Sequence, residues 1–139
     1  MRVASATERR SGDTSHDAAR YERACLSFFE RELAQPTFLR SWVAERGGEV
    51  VGGASLTVLP TLPRFGRAFS GVDGRVRDVY VAPAHRRQGV ARALMAAVMT
   101  EAERLRVDRL TLGASSMGRP LYHQLGFELK TDEMHYDPS

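Results

Sequence analysis

The chain has 139 residues, 42% of them hydrophobic and 27% charged, the balance of one folded domain with a buried core, since domains run to roughly 100–200 residues; a disordered chain is excluded. Its 20 basic and 17 acidic residues leave a formal charge of +3, and the two signs are interspersed along most of the sequence, without the clustering that a nucleic-acid face requires. No apolar run reaches the roughly 18 residues of a membrane span, the residues after Met1 form no signal core, and the single cysteine, Cys25, excludes an internal disulfide or a zinc site with several thiolates; a cytoplasmic location with no membrane partner is expected.

Residues 1–13 are polar and read as a loosely ordered N-terminus, with at most a short strand at Arg2-Val3-Ala4. The folded domain is expected over residues 14–139. A Thr14-x-x-Asp17 start signals a helix on which Tyr21, Cys25, Phe28, Phe29 and Leu33 fall on one stripe before Pro36. Cys25 is expected to be buried there.

Ser41–Arg46 and Val50–Leu59 read as strands joined by a tight hairpin at Gly47-Gly48, with Val50, Ala54, Leu56 and Val58 on one face. Pro60, Pro63, Gly66, Gly71 and Gly74 then mark residues 60–75 as a loop that borders a cleft and carries Arg64, Phe65 and Arg67. Trp42, at the start of a strand, is expected in the core.

Val76–Ala82 is a strand by its β-branched and aromatic content, and Pro83 ends its hydrogen-bond ladder. A basic turn over 84–89 leads into a helix with Val90, Leu94, Ala97, Val98, Ala102 and Leu105 on its apolar side and Met95 and Met99 as core filler. Arg109–Ala114 is the next strand. Strand, helix and strand at this spacing make a βαβ crossover with parallel strands, and ligands bind at the carboxyl end of such strands. After a turn at Ser115–Gly118, Arg119–Leu125 is a short helix with Pro120 in its first turn and Gly126 past its end. Phe127–Lys130 and Met134–Tyr136 are expected as closing strands.

The residues Arg86-Arg87-Gln88-Gly89-Val90-Ala91 stand between a strand end and a helix start. Gly89 allows close backbone approach, the first amides of the helix have no partner within it, and Arg87 and Arg92 add guanidinium groups, so a pyrophosphate fits. Alone, such a turn is equally well the exposed start of any helix. With its context, however, VYVAPAHRRQGVARAL resembles the coenzyme A-binding motif of the GCN5-related N-acetyltransferase family, Gln/Arg-x-x-Gly-x-Gly/Ala, through Arg86, Gly89 and Ala91. A second stretch, ASSMGRPLYHQLGF, resembles the closing motif of that family. The resemblance covers Trp42 to Phe127.

The resemblance implies an α/β (α+β) acyltransferase fold, a mixed and mostly antiparallel sheet flanked by helices and splayed at the coenzyme cleft. It implies acetyl-CoA as cosubstrate, without a metal, and an amine acceptor that is a small molecule or a protein; oligomeric state is left open, a homodimer included. The backbone of Val79, Tyr80 and Val81 would pair with the pantetheine arm at a bulge, Val81 N–H would meet the developing oxyanion, and Arg87, Gln88, Gly89, Val90, Ala91 and Arg92 would hold the pyrophosphate. Ser115 would stand beside the coenzyme, with Ser116 a close second. Tyr122 matches the tyrosine that protonates or hydrogen-bonds the leaving thiolate.

Asp78, which shares a face with Tyr80 by strand alternation, is the candidate general base; the alternatives are a cation-binding carboxylate or an arginine partner. His85, His123, Glu133 and His135 are weaker options for the base. Two rival functions remain at this stage: a coenzyme-binding regulatory or interaction module without turnover, and nucleic-acid binding by the arginines, which would show steep salt dependence.

Overall fold

The computed structural model describes residues 1–5, 16–34, 38–62, 70–130 and 132–138. Its strands and helices follow in the order β1 Arg2–Ser5, α1 His16–Ala34, β2 Leu39–Arg46, β3 Glu49–Pro60, β4 Val72–Val81, α2 Val90–Arg104, β5 Arg109–Leu112 and α3 Arg119–Gln124. The five strands form one sheet in sequence order, antiparallel from β1 to β4 and parallel between β4 and β5. This is the mixed, mostly antiparallel sheet flanked by helices that the sequence predicts.

The terminus expected to be loose carries a paired strand, because Arg2–Ser5 lies in register against Trp42–Glu45 of β2. Residues 6–13 and the helix start at Thr14 lie outside the described residues. Gly47 (φ 59°) and Gly48 (φ 79°) make the two-residue turn between β2 and β3, where two successive left-handed residues match the twist of the strands. A register shift between Ala44 and Glu45 puts an extra residue into β3. Hence Val51 is buried at 1% exposure, while Val50, expected on the apolar face, is 51% exposed.

β4 begins four residues earlier than its sequence pattern shows, since Val72–Arg75 pair with Thr57–Pro60. Gly74 is therefore a close-packing position rather than a loop marker: a Cβ there would stand 3.1 Å from Leu110 Cδ1 and 3.2 Å from Leu56 Cδ1. The loop shrinks accordingly, and Arg64, Phe65 and Arg67 lie outside the described residues.

α2 crosses between the parallel strands and lays Val90, Leu94, Val98 and Ala102, each four residues apart, on one face of the sheet with Met95 beside them. They meet Ala44, Ala54, Leu56 and Val76, with Trp42 and Met99 packed around the edge. Each large side chain buried here stabilises the fold by about 1.5–3 kcal/mol. The other face has buried Ser41 and Ser55, whose hydroxyls bond each other at 2.8 Å. α1 ends near the start of β2, where Phe28 packs against Phe38 and buried Glu32 accepts the Phe38 N–H at 3.3 Å.

Two expectations about side chains and strands fail. Tyr21, assigned to the apolar stripe of α1, is 72% exposed, and Cys25 is only half-buried. Residues 127–130 and 134–136 form no strand: the apolar alternation is present, but a strand needs a backbone partner, and none of the described residues supplies one.

Candidate active site

The cleft follows from unequal strand lengths. β4 and β5 pair only over Asp73–Val76 and Arg109–Leu112. β4 then runs on to Val81, so from Arg77 onward its outer edge has no strand partner among the described residues. Register also shifts here: Tyr80 pairs with Gly53 and Arg77 with Ser55, leaving Asp78 and Val79 opposite the single residue Ala54. That is a β-bulge, and Asp78 takes the left-handed conformation in it at φ 54°.

The bulge resets the side-chain alternation. Val76 faces the α2 core before it, and Val79 and Val81 do so after it, while Asp78 and Tyr80 are exposed. Asp78 lies within electrostatic reach of the Tyr21 hydroxyl on α1, as does Arg77. The Tyr21 hydroxyl is raised above the ordinary tyrosine value, first by its hydrogen bond with Cys25 and then by the charges of Cys25 and Asp78. Further along β4, Ala82 N–H bonds the Val51 carbonyl at 2.8 Å. The alternation of antiparallel pairing consequently turns the N–H and C=O of the preceding Val81 away from β3. Its carbonyl accepts Arg86 Nε at 3.0 Å.

Past Val81, Pro83–His85 form a turn of 3-10 helix, and Arg87 (φ 59°) and Gly89 (φ 82°) swing the chain into α2. Gly89 caps α2 with no side-chain bond, and the first intrahelical bond runs from Ala93 N–H to Gly89 C=O at 3.0 Å. The amides of Val90, Ala91 and Arg92 thus precede the helical ladder, at the positive end of the helix dipole. Gln88 bonds Arg46 of β2 through Oε1 and the Ala84 carbonyl through Nε2. Arg92 bonds Gln124 of α3. Arg87 is exposed and has no partner among the described residues.

Ser115, Gly118 and Tyr122 follow β5 and pack around one another. The Gly118 N–H bonds the Ser115 hydroxyl at 3.2 Å, and the Ser115 carbonyl accepts the amides of Gly118 and Arg119 at 3.1 Å each. Tyr122 stands edge-on to Phe127, ring centroids 6.0 Å apart. Burial raises its hydroxyl above the usual tyrosine value. An open cavity of about 1060 Å³ lies on the β5 and C-terminal side of Tyr122, with Leu112, Ala114, Tyr122, Phe127 and Glu133 in its wall, and none of Asp78–Val81, Arg86–Arg92 or Ser115 lines it.

Val79–Val81, Arg86–Arg92 and the open edge of β4 are therefore continuous along the chain and in space. Ser115 and Tyr122 meet around Gly118, and no hydrogen bond joins Asp78 to Tyr122. Arg46 and Gln124 contact the basic turn without any signal in the sequence, being 42 residues from Gln88 and 32 from Arg92. Among the described residues no three His, Cys, Asp or Glu side chains are grouped to hold a metal ion, and no helix is long and apolar enough to cross a membrane.

Similarity to known proteins extends over most of the chain. A glucosamine 6-phosphate N-acetyltransferase of Trypanosoma brucei brucei is 32% identical over 90 residues, a match that covers 65% of this chain and 58% of that protein. A GCN5-related N-acetyltransferase from Ralstonia eutropha superposes with a TM-score of 0.77 at 28% identity, over 91% of this chain and 82% of the other. A predicted acetyltransferase from Clostridium acetobutylicum, solved with acetyl-CoA, superposes with a TM-score of 0.74 at 23% identity, over 84% of this chain and 74% of the other, a likeness of fold. The model of the acetyltransferase (GNAT) family matches residues 5–127, from the edge strand through both motifs to Phe127, and the chain belongs to that family.

Proposed function

We propose that this domain, its edge strand β1 included, transfers acetyl from acetyl-CoA to a primary amine of a small molecule or protein, by direct attack in a ternary complex. One observation carries this reading: the unpaired edge of β4 beyond Val76 leads through one short basic turn into the N-terminus of α2, which no side chain caps. An extended amide-bearing arm can add to such an edge as a strand does, and a diphosphate suits free amides at a helix start. Val79, Tyr80 and Val81 are the residues for the arm. Arg87, Gly89, Val90, Ala91 and Arg92 are those for the diphosphate, with Arg86 and Gln88 fixing the turn through the Val81 and Ala84 carbonyls.

In this reading the neutral amine forms a bond to the thioester carbon, the carbon–sulfur bond breaks, and the thiolate departs with a proton. Val81 N–H, turned toward the cleft, stabilises the carbonyl oxygen as charge grows on it. Complete proton transfer from a phenol near pKa ~10 to a thiolate near ~8.5 is uphill by about 2 kcal/mol. Burial raises Tyr122 further, so Tyr122 acts chiefly by donating a hydrogen bond to the developing thiolate. Asp78 attracts the cationic acceptor and takes the proton it must lose, directly or through water. Ser115 holds the turn that sets Tyr122.

Amino sugars are supported as acceptors by the name of the trypanosomal relative. The test is free-thiol release from acetyl-CoA with a panel of primary amines that includes amino sugars and their phosphates. Release with at least one amine, lost in the Arg87→Glu/Arg92→Glu double variant together with coenzyme affinity, is expected. Tight acetyl-CoA binding with no release from any amine would instead identify a coenzyme-binding module.

A further inference from the structure

Part of the positive charge at the basic turn comes from elsewhere in the fold. Arg46 closes β2 just before the Gly47-Gly48 turn, and that hairpin brings its guanidinium to the start of the basic turn. One Arg46 nitrogen, Nη1, bonds Gln88 Oε1 and lies 3.5 Å from His85 Nδ1. Both contacts are to neutral acceptor groups or an imidazole, and no carboxylate among the described residues pairs with Arg46. Arg86 is turned back onto the Val81 carbonyl and Arg92 onto Gln124. Arg92, like Arg46, thus meets a neutral glutamine amide, which leaves Arg87 and Arg92 beside the free amides for a diphosphate and Arg46, next to His85, on the hairpin side.

Coenzyme A has three phosphoryl groups: two in the diphosphate and a third, a monoester on the ribose 3′-oxygen. A monoester has about −1.5 to −2 charge at pH 7 and three acceptor oxygens. A guanidinium next to an imidazole can offer it several donors at once.

We infer that Arg46 and His85 form a separate subsite for the ribose 3′-phosphate of the coenzyme. The inference rests on the coenzyme reading above and extends it to residues outside both motifs. Arg46 reads the presence of the monoester, and its bond to Gln88 holds it in place beside the turn.

The test is calorimetric titration with CoA and with 3′-dephospho-CoA. The wild-type protein is expected to prefer CoA by about two- to fivefold, the size of an exposed charge-assisted contact, and Arg46→Met to bring that ratio close to one without weakening the dephospho form. Gln88→Ala, which keeps the guanidinium but frees it from its partner, is expected to lower the ratio only part of the way toward one. Equal weakening of both ligands by Arg46→Met would make Arg46 a brace alone and overturn the inference, as would a wild-type ratio of one. Failure of the wild-type protein to bind either ligand would remove the coenzyme reading itself, an outcome distinct from the others.

Discussion

Gly118 lies against the ring of Tyr122 so closely that a Cβ at position 118 would stand 2.8 Å from Tyr122 Cε2. The Gly118 backbone, at φ −82°, is open to any residue, so the glycine is required by contact and not by conformation. Gly118→Ala should therefore fold and displace the Tyr122 ring. A misplacement of about 1 Å at a reacting group costs up to roughly 100-fold in rate, and Tyr122→Phe should cost about 100-fold through loss of the hydroxyl donor. Steady-state kinetics should show both losses in kcat, with KM for acetyl-CoA little changed; a normal kcat in Tyr122→Phe would relegate the ring to packing against Phe127.

The parts of this arrangement that could be read from sequence are those governed by local rules. The hairpin at Gly47-Gly48, the four-residue stripe on α2 and the βαβ step all follow from periodicity and turn chemistry. What escaped depended on contacts between distant residues. Gly74 looks like a loop residue until Leu56 and Leu110 are packed against it. Val51 replaces Val50 in the core because of a bulge that no pattern of hydrophobicity announces. Phe127–Lys130 alternates like a strand, yet no strand among the described residues pairs with it, and Arg46 reaches the basic turn only because the sheet carries it there.

Asp78 combines a functional side chain with a left-handed backbone, and substitution can separate the two. Asparagine tolerates φ near 54° almost as aspartate does, whereas a β-branched residue pays about 1–2 kcal/mol there. Asp78→Asn should unfold within about 0.5 kcal/mol of the wild type, bind acetyl-CoA normally and lose turnover. Asp78→Val should lose both turnover and stability. Chemical denaturation read beside thiol release checks the pair, and full activity in Asp78→Asn would exclude the carboxylate as base.

Gly52 couples the core to the cleft. An added Cβ would meet the Tyr80 backbone carbonyl at 2.7 Å and the Val90 and Leu94 side chains at 3.2 and 3.3 Å. Backbone cannot yield as a flexible side chain does, so Gly52→Ala should cost about 1–3 kcal/mol. That lowers the thermal midpoint by roughly 2–4 °C for each kcal/mol. Because the strand pushed aside is β4 at Tyr80, acetyl-CoA affinity should fall with stability; a melting shift with unaltered affinity would show that this stretch of β4 does not contact the coenzyme.

Glu101 gives the fold a defined acid dependence. On the exposed side of α2 it accepts Arg104 at 2.6 Å and approaches Arg40 of β2 at 3.6 Å, so it ties the helix to the sheet. The hydrogen bond from Arg104 is the main cause that holds its carboxyl below the usual 4.5, with the charges of Arg104 and Arg40 adding to it and partial burial opposing. A carboxylate whose pKa is lower in the folded state stabilises the fold fully above its unfolded value, and that contribution is lost as pH falls through the folded value. Glu101→Gln should therefore be less stable than the wild type at pH 7, by about 0.2–1 kcal/mol given the solvent exposure of Arg104. The difference should close as pH drops below 4.5 and through the lower folded value, and it should shrink in molar salt at neutral pH, where the Debye length falls to about 3 Å. Urea unfolding of both proteins across that pH range measures it directly. A gap that persists in acid would mean that Glu101 acts through packing of its aliphatic stem and not through its charge.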